Sequence, residues 1–290
     1  SEDEATVTSD GGNSYSGDVV IPGSVTYNDK TYHVTTIGRS AFYFCGSLTS
    51  VTILEGVVNI VNYAFQRCNA LASVTIPESM VNIGDNAFNN CNKLTSVTLK
   101  SNSLVSAVRT SSTSMSSIFG NQVTEYIIGN AVTSIGDYAF YGCRNMTSVT
   151  IPESLTNIGE GAFWSCYNLH SIYIPRSVST IGDYAFNGCN GLEAVHISDL
   201  AAWCAINTST TVGNPLYNAH HLYLNGEEVK DLVIPDGVTH IGDHAFWGCT
   251  GLTSVTFPNS VTSLGEGSFD SCSNLTSINI PGTLTDIGTW

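Results

Sequence analysis

Eight of the nine cysteines in this 290-residue chain follow a phenylalanine by three residues, as in IGDYAFYGC at 135–143 and IGDYAFNGC at 181–189. Cysteine chemistry runs through a thiolate nucleophile, a disulfide or a tetrahedral zinc site. No C-x-x-C pair occurs, and Cys45, Cys68, Cys91, Cys143, Cys166, Cys189, Cys249 and Cys272 all hold one position of a repeating unit. Stacked units about 4.7–4.9 Å apart would set these thiols in a column. Side chains in such a column point the same way, which suits neither a disulfide nor converging zinc ligands. The expectation is a row of buried free thiols that act as small hydrophobes. Only Cys204 lies off the register.

The other reactive side chains carry equally plain alternatives. His240 and His244 are four apart but fall in a turn segment, and neither a metal site nor a cofactor is expected. Asp85, Asp137, Glu160, Asp183, Asp243 and Glu266 recur after a turn glycine, forming a solvated edge without the clustered aspartates of calcium loops. Tyr43, Tyr141, Trp164 and Trp247 follow the Ala-Phe pair, with Tyr167 nearby. They form either an exposed binding stripe or rings packed across neighbouring turns. Paired Ser and Thr, such as Ser73/Thr75, fill the outward strand positions, and Tyr173 and His196 interrupt them. The candidate ligand-binding residues are thus Tyr43, Tyr141, Trp164, Tyr167, Tyr173, His196 and Trp247. G-x-S-x-G, P-loop, H-E-x-x-H and G-x-G-x-x-G motifs are absent, so no catalytic residue is assigned.

The elements that position these residues are repeats. Ile37, Ile60 and Ile83 are 23 apart, as are Ile135, Ile158 and Ile181, and then Ile241, Leu264 and Ile287. In LASVTIPESMVNIGDNAFNNC, Leu71, Val74 and Ile76 mark a short strand that Pro77 ends. Met80 and Ile83 point inward, Gly84 supplies a turn, and Ala87, Phe88 and Cys91 form an irregular or 3₁₀-like turn. A single unit buries too few side chains to offset its backbone entropy, so units must stack.

The pattern L-x-x-V-x-I-P-x-S-V-x-x-I-G-x-x-A-F-x-x-C resembles the leucine-rich repeats of BspA-like bacterial surface proteins, over about residues 18–290. Ser79, Ser154, Ser177 and Ser260 stand where other leucine-rich repeats place Asn or Cys. The resemblance implies an α/β repeat, a right-handed leucine-rich-repeat solenoid of about eleven turns, with parallel strands on one face and irregular or 3₁₀ turns on the other.

Residues 1–36 are expected to form an N-terminal cap with a hairpin around Asn28-Asp29, and 37–290 the solenoid. The period breaks in irregular repeats at 100–134 and in an insertion at 199–234. There Ser198 or Asp199 could cap a short helix, Asn214-Pro215 marks a turn and Asn225-Gly226 a hairpin.

A net charge of −15 argues against nucleic acid as a partner, and no apolar run is long enough to span a membrane. The opening SEDEATVTSD lacks basic and apolar signal regions, so an export signal is expected to have been removed. The resemblance implies a non-catalytic, secreted or cell-surface adhesion protein that binds protein or glycan ligands. Alternatives are a stalk displaying another domain, or a carbohydrate-active accessory module using Trp203, Asn214, His220 and His221. The final IGTW shows no obvious cap, which leads us to expect either end-to-end self-association at an open edge or a missing C-terminal segment.

Overall fold

The computed structural model describes residues 3–9, 11, 15–208 and 210–289. The chain coils into a parallel-strand solenoid of about eleven turns, each built from three sides. The first side is a ladder of three- to six-residue strands that includes Leu48–Ile53, Ser73–Ile76, Ser96–Leu99 and Glu125–Ile128. Val51, Val74, Val97 and Tyr126 lie opposite one another and are buried, while the Ser and Thr between them face outward. This is the period-two alternation of a half-buried strand.

A second ladder is made of two-residue strands, among them Asn59–Ile60, Asn82–Ile83, Asn157–Ile158 and Thr180–Ile181. Isoleucine pairs with isoleucine along it and points into the core. The third side is the Ala-Phe turn. Phe65 N–H donates to the Ala87 carbonyl at 2.8 Å, and Phe163 N–H to Ala185 at the same distance. The rings follow the translation, with Phe42–Phe65 centroids 4.9 Å apart at 4° and Phe140–Phe163 5.3 Å apart at 5°.

Left-handed residues frame these turns, such as Tyr63 (φ 62°) and Arg67 (φ 64°) around Ala64-Phe65. Two reversals within one turn make it irregular. Among the described residues the one 3₁₀ segment is Thr211–Gly213. The recurrent glycine opens these turns, the Gly84 carbonyl accepting the Ala87 N–H at 3.3 Å, and it has a second role as well. Gly84 does not need a positive φ, but a Cβ on it would stand 2.6 Å from the Asn62 backbone nitrogen of the preceding turn. Close stacking of neighbouring turns therefore demands glycine there.

The two irregular stretches share one design. After the strand Ser96–Leu99, Ser101 caps the helix Asn102–Val105, and Met115–Phe119 forms a second short helix. After the strand Ala194–Ile197, Asp199 caps Leu200–Cys204, and Leu216–Ala219 forms the second. Three complete units precede the first stretch, three lie between the two, and two follow the second.

At the N-terminal end Ser24–Tyr27 pairs antiparallel with Lys30–Ile37 through Asn28 and Asp29, both left-handed as a tight hairpin requires. Glu4–Val7 adds to the free side of Lys30–Ile37, and Tyr15 packs on Phe42 at 4.8 Å. At the other end Ile278, Ile280 and Ile287 are 36%, 45% and 62% exposed around an apolar cavity of about 390 Å³.

Candidate functional site

All nine cysteines are free and buried. They do more than fill space. The thiols of Cys68, Cys91, Cys166, Cys189 and Cys272 each donate to the phenylalanine carbonyl of the preceding unit at 3.0–3.2 Å. Cys143 differs because a helix precedes it, and its nearest acceptor is the Tyr126 hydroxyl at 3.9 Å. Burial pushes Cys143, Cys204 and Cys249 up to about 12. These are poor nucleophiles at neutral pH. The serine that stands in the Asn/Cys position builds a parallel ladder. Ser79 Oγ accepts the Gly56 N–H at 3.0 Å and donates to the Val57 carbonyl at 2.8 Å, and Ser154 donates likewise to Val132.

The seven candidate ligand-binding residues fall on two faces. Tyr173 and His196 lie on the strand face, where they pair directly in register and Tyr223 continues the row. The His196 and Tyr223 rings are 5.0 Å apart. Tyr173 donates its hydroxyl to Glu153 at 2.6 Å and sits 3.0 Å from the Ser198 hydroxyl. Desolvation, with the Glu153 carboxylate beside it, raises the Tyr173 phenol above its ordinary range. Tyr223 was not singled out by sequence reasoning. The Asn225-Gly226 hairpin that follows it was the available clue.

Tyr43, Tyr141, Trp164, Tyr167 and Trp247 lie on the turn side. Tyr43 packs on Phe44 at 5.2 Å, and Arg144 covers the Tyr167 ring at 5.7 Å. Trp164 is half-buried between Tyr138 at 6.3 Å and Tyr184 at 5.6 Å, with Tyr141 at its edge. Gly161 makes this possible, since a Cβ there would meet the Tyr138 ring at 2.6 Å. Trp247 stacks on Tyr217 at 4.9 Å and donates to Asp270 at 3.2 Å. Both tryptophans therefore tie neighbouring turns together.

Of the four groups in the 199–234 insertion expected of a carbohydrate module, Trp203 and Asn214 are buried, whereas His220 is exposed and His221 partly so. Trp203 and Asn214 are 2% and 1% exposed. The Trp203 indole donates to the Ala245 carbonyl at 3.0 Å, and Asn214 Nδ2 to the His244 carbonyl at 2.6 Å. Both fasten the insertion to the next Ala-Phe turn. His220 lies 3.0 Å from the Gly248 carbonyl and His221 2.7 Å from Glu228. Among the described residues, no group of three or more His, Cys, Asp or Glu is placed to hold a metal ion.

The acidic column has its own geometry. Asp137 Oδ1 accepts the Glu160 N–H at 2.9 Å and Asp243 Oδ1 the Glu266 N–H at 2.8 Å, so each carboxylate is pinned by the following unit. Together with Asn157, Thr180 and Asn207, the carboxylates of Asp137, Glu160, Asp183 and Asp243 line a groove of about 600 Å³ along the short-strand face.

The sequence matches the model of the BspA-type leucine-rich repeat region over residues 24–120, 113–208 and 219–290. Among solved structures, a leucine-rich repeat protein from Bacteroides ovatus is 25% identical over 93% of this chain and 82% of its own, with a TM-score of 0.41. A leucine-rich repeat protein of T. pallidum is 25% identical over 67% of this chain and 78% of its own, with a TM-score of 0.38. A leucine-rich cell surface protein from Faecalibacterium prausnitzii is 23% identical over 99% of this chain and 91% of its own, with a TM-score of 0.36. No curated protein matches the chain. The family therefore rests on the repeats themselves, and with most of its length matched by that model the chain belongs to the BspA-type leucine-rich repeat family.

Proposed function

We propose that this protein is a non-catalytic binding protein, secreted or held at the cell surface, that engages an extended protein or glycan partner through its strand face. The observation that carries the reading is the row Tyr173, His196 and Tyr223 on three adjacent strands. Elsewhere that face is dominated by small hydroxyl residues, and several are tied to carboxylates, as Ser50 is to Asp18 and Ser254 to Asp231. Such a surface is well solvated and offers little to grip. Tyrosine and histidine side by side supply contact area with few rotors to freeze, which is how binding hot spots are built. A net charge of −15 favours neutral or basic partners over anionic ones.

The test is binding of the full chain to immobilised extracellular-matrix proteins and neutral glycans, compared with the double variant Tyr173→Ala/Tyr223→Ala. The reading expects at least one partner whose affinity falls about tenfold or more in the variant. Undiminished binding by the variant would move the site off this face. An inert protein across the panel would favour a stalk.

A further inference from the structure

The ladder of two-residue strands is not continuous. It stops at Asn82–Ile83 and begins again at Ser134–Ile135, with the first irregular stretch between them. Asn82–Ile83 is therefore the outer strand of its sheet, and a groove of about 580 Å³ opens beside it. Arg109 is the cation of its lining, where Asn62, Asn82, Asp85 and Asn86 join it. The guanidinium is half-buried, and desolvation pulls it below its ordinary range, yet it stays charged. A charge taken out of water is ordinarily paired with an opposite one. Arg109 instead gives Nη1 to the Thr113 carbonyl at 2.8 Å and Nη2 to the Leu104 carbonyl at 2.7 Å. No carboxylate lies within ion-pair distance of it among the described residues. Nε is buried without a partner, but each Nη nitrogen keeps a second N–H.

Asp85 limits what the groove accepts. In regular units Asp137 and Asp243 are pinned by an N–H of the following unit. Asp85 is exposed and precedes the irregular stretch, which supplies it no such N–H among the described residues. One guanidinium beside one unpinned carboxylate leaves room for a single negative charge, and a chain of net charge −15 repels polyanions.

We propose that this groove binds a small ligand with one carboxylate and several hydrogen-bond donors, a uronic acid or an amino acid. The carboxylate takes charge-assisted hydrogen bonds from the remaining Nη N–H groups of Arg109. Hydroxyls or an ammonium on the ligand body meet Asp85 and the amide oxygens of Asn62 and Asn82. The groove lies on a different side of the solenoid from Tyr173, and the inference does not depend on the strand-face reading.

The full chain is titrated calorimetrically at low salt with glucuronate, galacturonate and neutral amino acids. Each is compared with its methyl ester or amide, which lacks the carboxylate charge, and citrate serves as the polyanion. One carboxylate ligand should bind about tenfold or more tightly than its ester or amide, and more tightly than citrate. Asn82→Asp places a second carboxylate in the groove without touching the contacts of Arg109, and should weaken that ligand about tenfold. Arg109→Gln should do the same. If it melts too low to be titrated, Asn82→Asp carries the test. Asp85→Asn separates the two sources: a uronic acid binds as well or better, whereas an amino acid binds more weakly because its ammonium has lost a partner. Tyr173→Ala should change nothing. Equal binding of acid and ester, tighter binding of citrate, binding of no carboxylate, or undiminished binding by Asn82→Asp would each overturn the proposal. Matrix-protein or glycan binding that stays sensitive to Tyr173→Ala would leave the strand-face reading standing without it.

Discussion

The Cys68 thiol donates to the carbonyl oxygen of Phe42 at 3.1 Å, and the same oxygen accepts the backbone N–H of Cys45 at 3.1 Å. One acceptor thus closes its own turn and holds the next. Cys166 and Phe140 repeat the arrangement at 3.2 Å. Cys166→Ala should lower stability by about 1–2 kcal/mol, the sum of a lost neutral hydrogen bond and a small cavity. Cys166→Ser keeps a donor and should lose less. Denaturant unfolding of the two variants measures the difference.

Alkaline pH should weaken the fold through the same thiols. Burial holds Cys143, Cys204 and Cys249 at about 12, against 9.0 when exposed. Below pH 9 both folded and unfolded thiols are protonated, so these groups make no pH-dependent contribution. Between about pH 9 and 12 the unfolded chain sheds protons that the native chain keeps, and stability falls as pH rises. A series of unfolding curves should be flat in this term below pH 9 and decline above it. In Cys204→Ala the decline should be shallower.

Glycine between the turns is a spacing requirement. A Cβ on Gly182 would lie 2.6 Å from the Glu160 backbone nitrogen, with no flexible side chain to give way. Gly182→Ala should cost about 1–3 kcal/mol by forcing two turns apart. Gly46→Ala, where the nearest contact is 3.9 Å away, should stay within about 0.5 kcal/mol of the parent. Thermal melts of the pair decide it.

Much of this architecture is readable from the residues. Leu71, Val74 and Ile76 alternate as a half-buried strand must, and Asn28-Asp29 and Asn225-Gly226 mark hairpins because both positions need positive φ. Asp199 was readable as a cap and accepts the Ala202 N–H at 3.0 Å. The two-residue ladder was not readable, since Asn82–Ile83 is too short to show any period. Arg109 escaped notice for a different reason. It ties Leu104 and Thr113 carbonyls at 2.7 and 2.8 Å across an expanded turn, and nothing local in SAVRTSST announces so long a reach. Tyr43, Tyr141, Trp164 and Trp247 share one turn position and Tyr173 and His196 an outward strand position, so the two faces were readable, but the stacking of Trp164 on Tyr184 and of Trp247 on Tyr217 was not.

The exposed Ile278, Ile280 and Ile287 form an apolar edge of the kind that regular turns bury against a neighbour. Sedimentation should show association that grows with concentration, and Ile280→Lys/Ile287→Lys should leave monomer. A monomeric parent at high concentration would remove self-association from the account.

The central claim is that the repeated residues, the cysteine column among them, build the solenoid and do no chemistry. The native thiol count tests it most directly. An aromatic disulfide reagent at neutral pH should find none of the nine cysteines in the folded chain and all nine after denaturation. Reaction of more than one or two thiols before unfolding would contradict the claim and return the cysteine column to chemistry.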